Sequence, residues 1–157
     1  MQNLKKNISN KNKYRSGSLL FLFSVVIILI SCNPTKYVPQ DETLLDKNHV
    51  SVSREGISRK DLDPYIKQKP NKKIFGVRFH LGLFNLSNIK KENWFHSWLR
   101  NIGEEPVIHD PYSTAKSVEQ IRTYVASKGY FDSSVSDTVK SERQKSEVFY
   151  KVDLKSP

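Results

Sequence analysis

The residues able to do chemistry are one cysteine, Cys32, four histidines and 16 carboxylates spread over 157 residues. A lone thiol closes no internal disulfide. His49, His80, His96 and His109 are scattered, without the short regular spacing that gathers imidazoles on a zinc ion. Glu104 and Glu105 are adjacent, so they do not oppose one another across a substrate as an acid/base pair must. No phosphate-cradling glycine loop, no GxSxG and no HExxH occurs. These patterns predict a non-enzymatic chain with no metal site, no cofactor and no small-molecule substrate.

What remains is the position of Cys32. Residues 1–16 carry Lys5, Lys6, Lys11, Lys13 and Arg15 and no acid, and residues 18–30 form an uncharged apolar run. That is the charge and hydropathy order of an export signal. The run is thirteen residues long, short of the roughly 20 a spanning helix needs. It ends Leu29-Ile30-Ser31-Cys32, which resembles the lipobox of bacterial lipoproteins. The resemblance implies a signal peptide over 1–31, removed before Cys32, and a thiol that takes a diacylglyceryl group. Further acylation with a fatty acid such as palmitate would complete the anchor. Each buried methylene contributes about 0.8 kcal/mol, so two or more chains hold stably.

The formal charge of +10 overstates the basic character of the chain beyond the signal, because five of the cations lie within the signal. From Cys32 onward there are 21 Lys+Arg against 16 Asp+Glu. Neither that balance nor export favours a nucleic-acid partner. The 126 residues from Cys32 suffice for one domain with a modest core.

Periodicity divides that part of the chain. Residues 32–47, polar and with two prolines, read as a tether. Residues 48–53 alternate as a short strand, and Ser58 with Asp61 forms a capping pattern for a helix reaching about Gln68, the alternative start being Pro64 with Asp63 as its cap. Residues 74–86 lean helical, and 91–101 form a short amphipathic helix. The clearest helix begins at Pro111, buries Ala115, Val118, Ile121, Tyr124 and Val125, and stops at Gly129. Two strands complete the chain, over 131–139 and 148–154, the second with Val148, Tyr150, Val152 and Leu154 inward. Gly129, Tyr130 and Phe131 make a corner in which both aromatic rings fold back over the helix end.

The stretch IRTYVASKGYFDSSV (121–135) resembles the last helix and second strand of a POTRA domain. HVSVSREGISRKDLDPYIKQKPNKKIFG (49–76) resembles the first strand and helix of such units in lipidated TamA-like proteins of the BamA/TamA outer-membrane assembly family, and NWFHSWLRNIGEEPVIHDP (93–111) is similar to the same group. The resemblance implies an α+β fold: one POTRA-like β-α-(insertion)-α-β-β unit over 48–155, with a small mixed sheet and a basic aromatic insertion at about 71–103. Family members carry several such units followed by a membrane β-barrel. This chain shows one unit and no barrel strands, as a truncated frame, a fragment or a free-standing lipoprotein would.

Two surfaces are then expected to bind. By family topology the strand over 131–139 is a sheet edge, and Ser133, Ser134, Val135, Ser136 and Asp137 would receive an extended client strand by β-augmentation. Lys72, Lys73, Arg78, Trp94, Phe95 and Trp98 would face a membrane. The implied partners are the membrane, through lipid on Cys32, and unfolded outer-membrane proteins or partner envelope proteins. The implied location is the outer membrane, on its periplasmic side or exposed at the surface. The alternative is a structural or adhesive outer-membrane lipoprotein unrelated to assembly. The Cys32 reading predicts that protein recovered from membranes has an intact mass lacking residues 1–31 and carrying acyl groups, and that Cys32→Ala abolishes this species. A mass that retains the signal in both proteins overturns it.

Overall fold

The computed structural model describes residues 33–156; the expected signal peptide and Cys32 lie outside the described residues. In chain order the elements are strand β1 (Leu44–Val52), helix α1 (Arg59–Leu62) continued by a 3-10 turn (Asp63–Tyr65), helices α2 (Phe79–Leu86) and α3 (Trp94–Ile102), the long helix α4 (Pro111–Ser127), and strands β2 (Ser134–Glu142) and β3 (Lys145–Asp153). The sheet order is β1-β3-β2, with β3 parallel to β1 and antiparallel to β2. The fold is therefore α+β on a small mixed sheet. The residues from Pro34 onward form a compact unit by themselves, and every described core side chain lies between Val38 and Leu154.

The core follows from the alternation in β3. Val148, Tyr150, Val152 and Leu154 are buried, since successive side chains of a strand point to opposite faces. They pack with Leu45, Ile57, Leu62, Ile66, Ile121, Val125 and Val135. Helix α4 covers this face. Its Asp110 cap accepts from the Tyr112 and Ser113 amides, and it ends in a Schellman arrangement: Gly129 N donates to Ala126 O and Tyr130 N to Val125 O, with Gly129 at φ 94°.

Several boundaries differ from the pattern reading. β1 begins at Leu44, not at residue 48. Leu44 and Leu45 are both buried, and as successive residues of a strand they point to opposite faces and serve different cores. Leu45 joins the main core, while Leu44 meets Val38 and Leu81 in a second one. Residues 33–47 are accordingly no free tether. Lys36 Nζ donates to Asn85 O at 2.6 Å, and the Tyr37 hydroxyl to Ser87 O at 2.5 Å. Polar composition concealed the few apolar residues that dock this segment.

The Ser58–Asp61 capping box forms as read, but α1 gives way to the 3-10 turn at Asp63, because Pro64 has no amide hydrogen to continue it. The helix expected over 74–86 is confined to 79–86. Before it, Phe75 (φ 49°) and Gly76 (φ 81°) make a tight turn closed by mutual hydrogen bonds of Ile74 and Val77. The buried face of α4 keeps Ile121 and Val125, with Val118 and Tyr124 against the core, but Ala115 is exposed, while Thr114 and Ser117 are buried. Their hydroxyls bond the Asp110 and Ser113 carbonyls and reach the Tyr150 hydroxyl. At the corner, Tyr130 packs on the core but Phe131 is 78% exposed. β2 is displaced from 131–139 to 134–142, because the hairpin closes at Arg143-Gln144, both at positive φ as a two-residue type I′ turn requires.

The insertion leaves and rejoins the domain between two rows of amides. Gln68 donates to Ile108 O and accepts from Asp110 N; Asn71 donates to Glu105 O and accepts from Val107 N. Within it α2 and α3 pack closely: a Cβ on Gly103 would lie 2.7 Å from Phe84 N and 2.8 Å from Leu99 O. Both are backbone atoms and neither can swing aside. Gly103→Ala is expected to destabilise the domain by about 1–3 kcal/mol, read as a lowered urea midpoint. An unchanged midpoint would mean that the α2–α3 contact is not tight.

Candidate functional site

The two edges of the sheet are not equivalent. The outer side of β1 is covered over its first half. Leu45 N donates to Val107 O and His109 N to Thr43 O, each at 2.8 Å, and Arg59 Nη2 reaches Asn48 O at 3.5 Å. Among the described residues, β2 is open for most of its length. The two-residue turn pairs Glu142 with Lys145, so alternate residues from Glu142 back to Ser134 bond β3, and the backbone groups of Val135, Asp137, Val139 and Ser141 face away from it. The Val135 carbonyl receives Arg122 Nη2 at 3.4 Å. The exposed template is thus 137–141, toward the hairpin.

The expected client residues fall differently on this edge. Val135 is buried and belongs to the core. Ser133 precedes β2, and its hydroxyl accepts from Lys155 N at 3.0 Å. Ser134, Ser136 and Asp137 are exposed on the strand. Val139, 37% exposed, lies on the strand as expected, and Ser141 continues it beyond the expected end at residue 139. Beside them, on the face away from α4, Phe149 stacks on His49 at 4.5 Å and lies under Lys140.

The basic aromatic segment splits into anchored and free residues. Arg78 is anchored: its guanidinium meets Asp46 at 2.6 Å with 10% of the side chain exposed, and it also donates to Asp46 O. Lys73 lies 3.6 Å from the same carboxylate. Neither is a free surface cation, and Arg78 is a structural residue, not a membrane contact. Lys72 is exposed. On α3, Trp94 is 79% exposed and Phe95 and Trp98 about half exposed, while Leu99 turns inward as the helical period requires. The three aromatic rings contact one another, at centroid distances of 6.0 Å (Trp94–Phe95) and 6.3 Å (Phe95–Trp98).

Asp46 was not singled out in the sequence, where a lone acid in a polar stretch carries no signal. Burial raises its pKa, but the hydrogen bond and charge of Arg78, with Lys73 and Lys47 behind them, outweigh that and hold it below the usual carboxylate value. Burial and the Arg78 charge push the Lys73 ammonium down, and Asp46 opposes them. Among the described residues no cluster of three or more His, Cys, Asp or Glu could hold a metal, and no helix is long and apolar enough to cross a membrane. Comparison with family models, curated proteins and solved structures gave no match.

A carboxylate whose folded pKa is depressed stabilises the fold above its unfolded value and loses that contribution as pH falls through the folded one. Asp46→Asn is expected to cost about 3 kcal/mol at pH 7, since it leaves Arg78 buried without its counter-charge. The gap to the unsubstituted protein should begin to narrow only below about pH 4, the ordinary carboxylate value, and close as pH falls through the lower folded value of Asp46. Urea melts at the two pH values check this; a pH-independent gap would show that charge is not the cause.

Proposed function

We propose that this chain is a lipid-tethered envelope module that binds extended polypeptide by adding a strand to β2. The observation that carries the reading is the asymmetry of the sheet: β1 is covered by residues 107–109 and Arg59, whereas the outward backbone groups of Asp137, Val139 and Ser141 face no neighbouring strand among the described residues. An open edge ordinarily invites uncontrolled pairing, and natural proteins blunt it with charge and polarity. Asp137, Lys140 and the exposed serines supply these here, which suits transient capture. The tether would be lipid on Cys32. The α+β order and the likeness of 121–135 to POTRA units support a place in outer-membrane protein assembly, with unfolded outer-membrane proteins as clients.

Proline at an outward-facing position removes a donor from the edge and leaves the β3 ladder intact. With benzoylphenylalanine at Thr138 of the membrane-bound full chain, photocrosslinking to a urea-unfolded outer-membrane protein is expected to fall at least about fivefold on Asp137→Pro or Val139→Pro, and not on Ser136→Ala. Crosslinking that survives both prolines with an unchanged circular dichroism spectrum would sink the reading.

A further inference from the structure

We propose that the segment 72–102 is a membrane-contact element that seats on an anionic lipid surface through Phe75 and the Trp94–Phe95–Trp98 stripe. Phe75 is fully exposed at the tip of its turn, at φ 49°. A non-glycine residue in that left-handed region costs about 1 kcal/mol or more, and no burial of the ring within the domain offsets it. An aromatic residue held out in this way is explained by something beyond the domain. Ile74 and Val77, which close the turn, are themselves about half exposed.

The stripe on α3 has the same character. Trp94, Phe95, Trp98 and Ile102 fall on one arc of the helix and are 79%, 47%, 50% and 38% exposed. Tryptophan beside aliphatic and aromatic neighbours suits the headgroup level of a bilayer. The charge is complementary: Lys72, Lys90 and Lys91 are exposed, and Glu92 is the one acid between residues 72 and 103. Lysine is depleted in the cores of protein–protein interfaces, whereas it is favoured at lipid interfaces, where its stem lies along apolar groups and its ammonium meets phosphate. A bilayer therefore fits this surface better than a second protein.

The start of the described chain points the same way. Lys36 and Tyr37 are bonded to Asn85 and Ser87 at the end of α2. Cys32 precedes Lys36 by four residues in the sequence. This support draws on the lipid reading of Cys32; the exposed surface itself does not, nor does it depend on the β2 edge.

Residues 33–157 contain every described core side chain and can be tested without the apolar leader. Trp94 and Trp98 are the two tryptophans of the chain, so intrinsic emission reports directly on the proposed contact. With phosphatidylcholine vesicles containing phosphatidylglycerol, the protein is expected to float and its emission to shift blue. Both effects should weaken with added salt and with pure phosphatidylcholine. The triple variant Phe75→Ser, Trp94→Ser, Trp98→Ser should float at least about tenfold less well with unchanged circular dichroism. Phe131→Ser, an exposed aromatic outside the segment, and Asp137→Pro at the sheet edge should float as the parent does. No flotation of the parent, undiminished flotation of the triple variant, equal loss in Phe131→Ser, or a lipid-independent dimer that shields both tryptophans would each overturn the proposal.

Discussion

In a three-stranded sheet one strand alone has neighbours on both sides, and here that strand is β3. Its inward residues Val148, Tyr150, Val152 and Leu154 are almost fully buried, and its backbone satisfies β1 on one side and β2 on the other. Burying these side chains contributes about 1.5–3 kcal/mol each for the aliphatic ones. The consequence for function is topological. Closing the core around β3 leaves two outer strands, and any binding by strand addition must occur at one of them. The chain covers β1 with the segment that returns from the insertion, so the geometry selects β2.

The insertion is bound to this frame by polar contacts at its roots. Gln68 and Asn71 use both ends of their amides to hold residues 105–110. The Asp46–Arg78–Lys73 group fastens the turn before α2 to β1, and the missing side chain at Gly103 lets α2 and α3 touch. A second small core of Val38, Leu44 and Leu81, with Ile108 against it, joins the N-terminal segment to α2. These contacts hold the exposed rings of Phe75 and α3 on an ordered support, so their exposure is a property of the fold and not of a loose loop.

The α+β order was legible because it rests on local rules. Strand alternation in β3, the Ser58–Asp61 box, the proline that opens α4 and the glycine that closes it each act within a few residues of chain. Even the exposure of Trp94 and Trp98 could be anticipated from a basic, aromatic stretch too rich in rings for so small a core. The misplaced features share another physics. The start of β1 depends on Leu44 finding Val38 and Leu81, which lie in other segments. The fate of Arg78 depends on Asp46, thirty-two residues away. The displacement of β2 follows from a turn at Arg143-Gln144, a pair without the asparagine or glycine that usually marks a type I′ hairpin.

The sequence by itself determined the succession of helix and strand, the inward parity of β3 and the concentration of aromatic and basic residues in one insertion, because periodicity, capping and composition are encoded in neighbouring residues. Only the tertiary structure decided which edge of the sheet stays open, which cations are held by Asp46 and which remain at the surface, and that Phe131 lies outside the core while Tyr130 lies against it. Those outcomes depend on long-range pairing and on competition for buried space. In both, a side chain's role is set by partners that the local pattern does not contain.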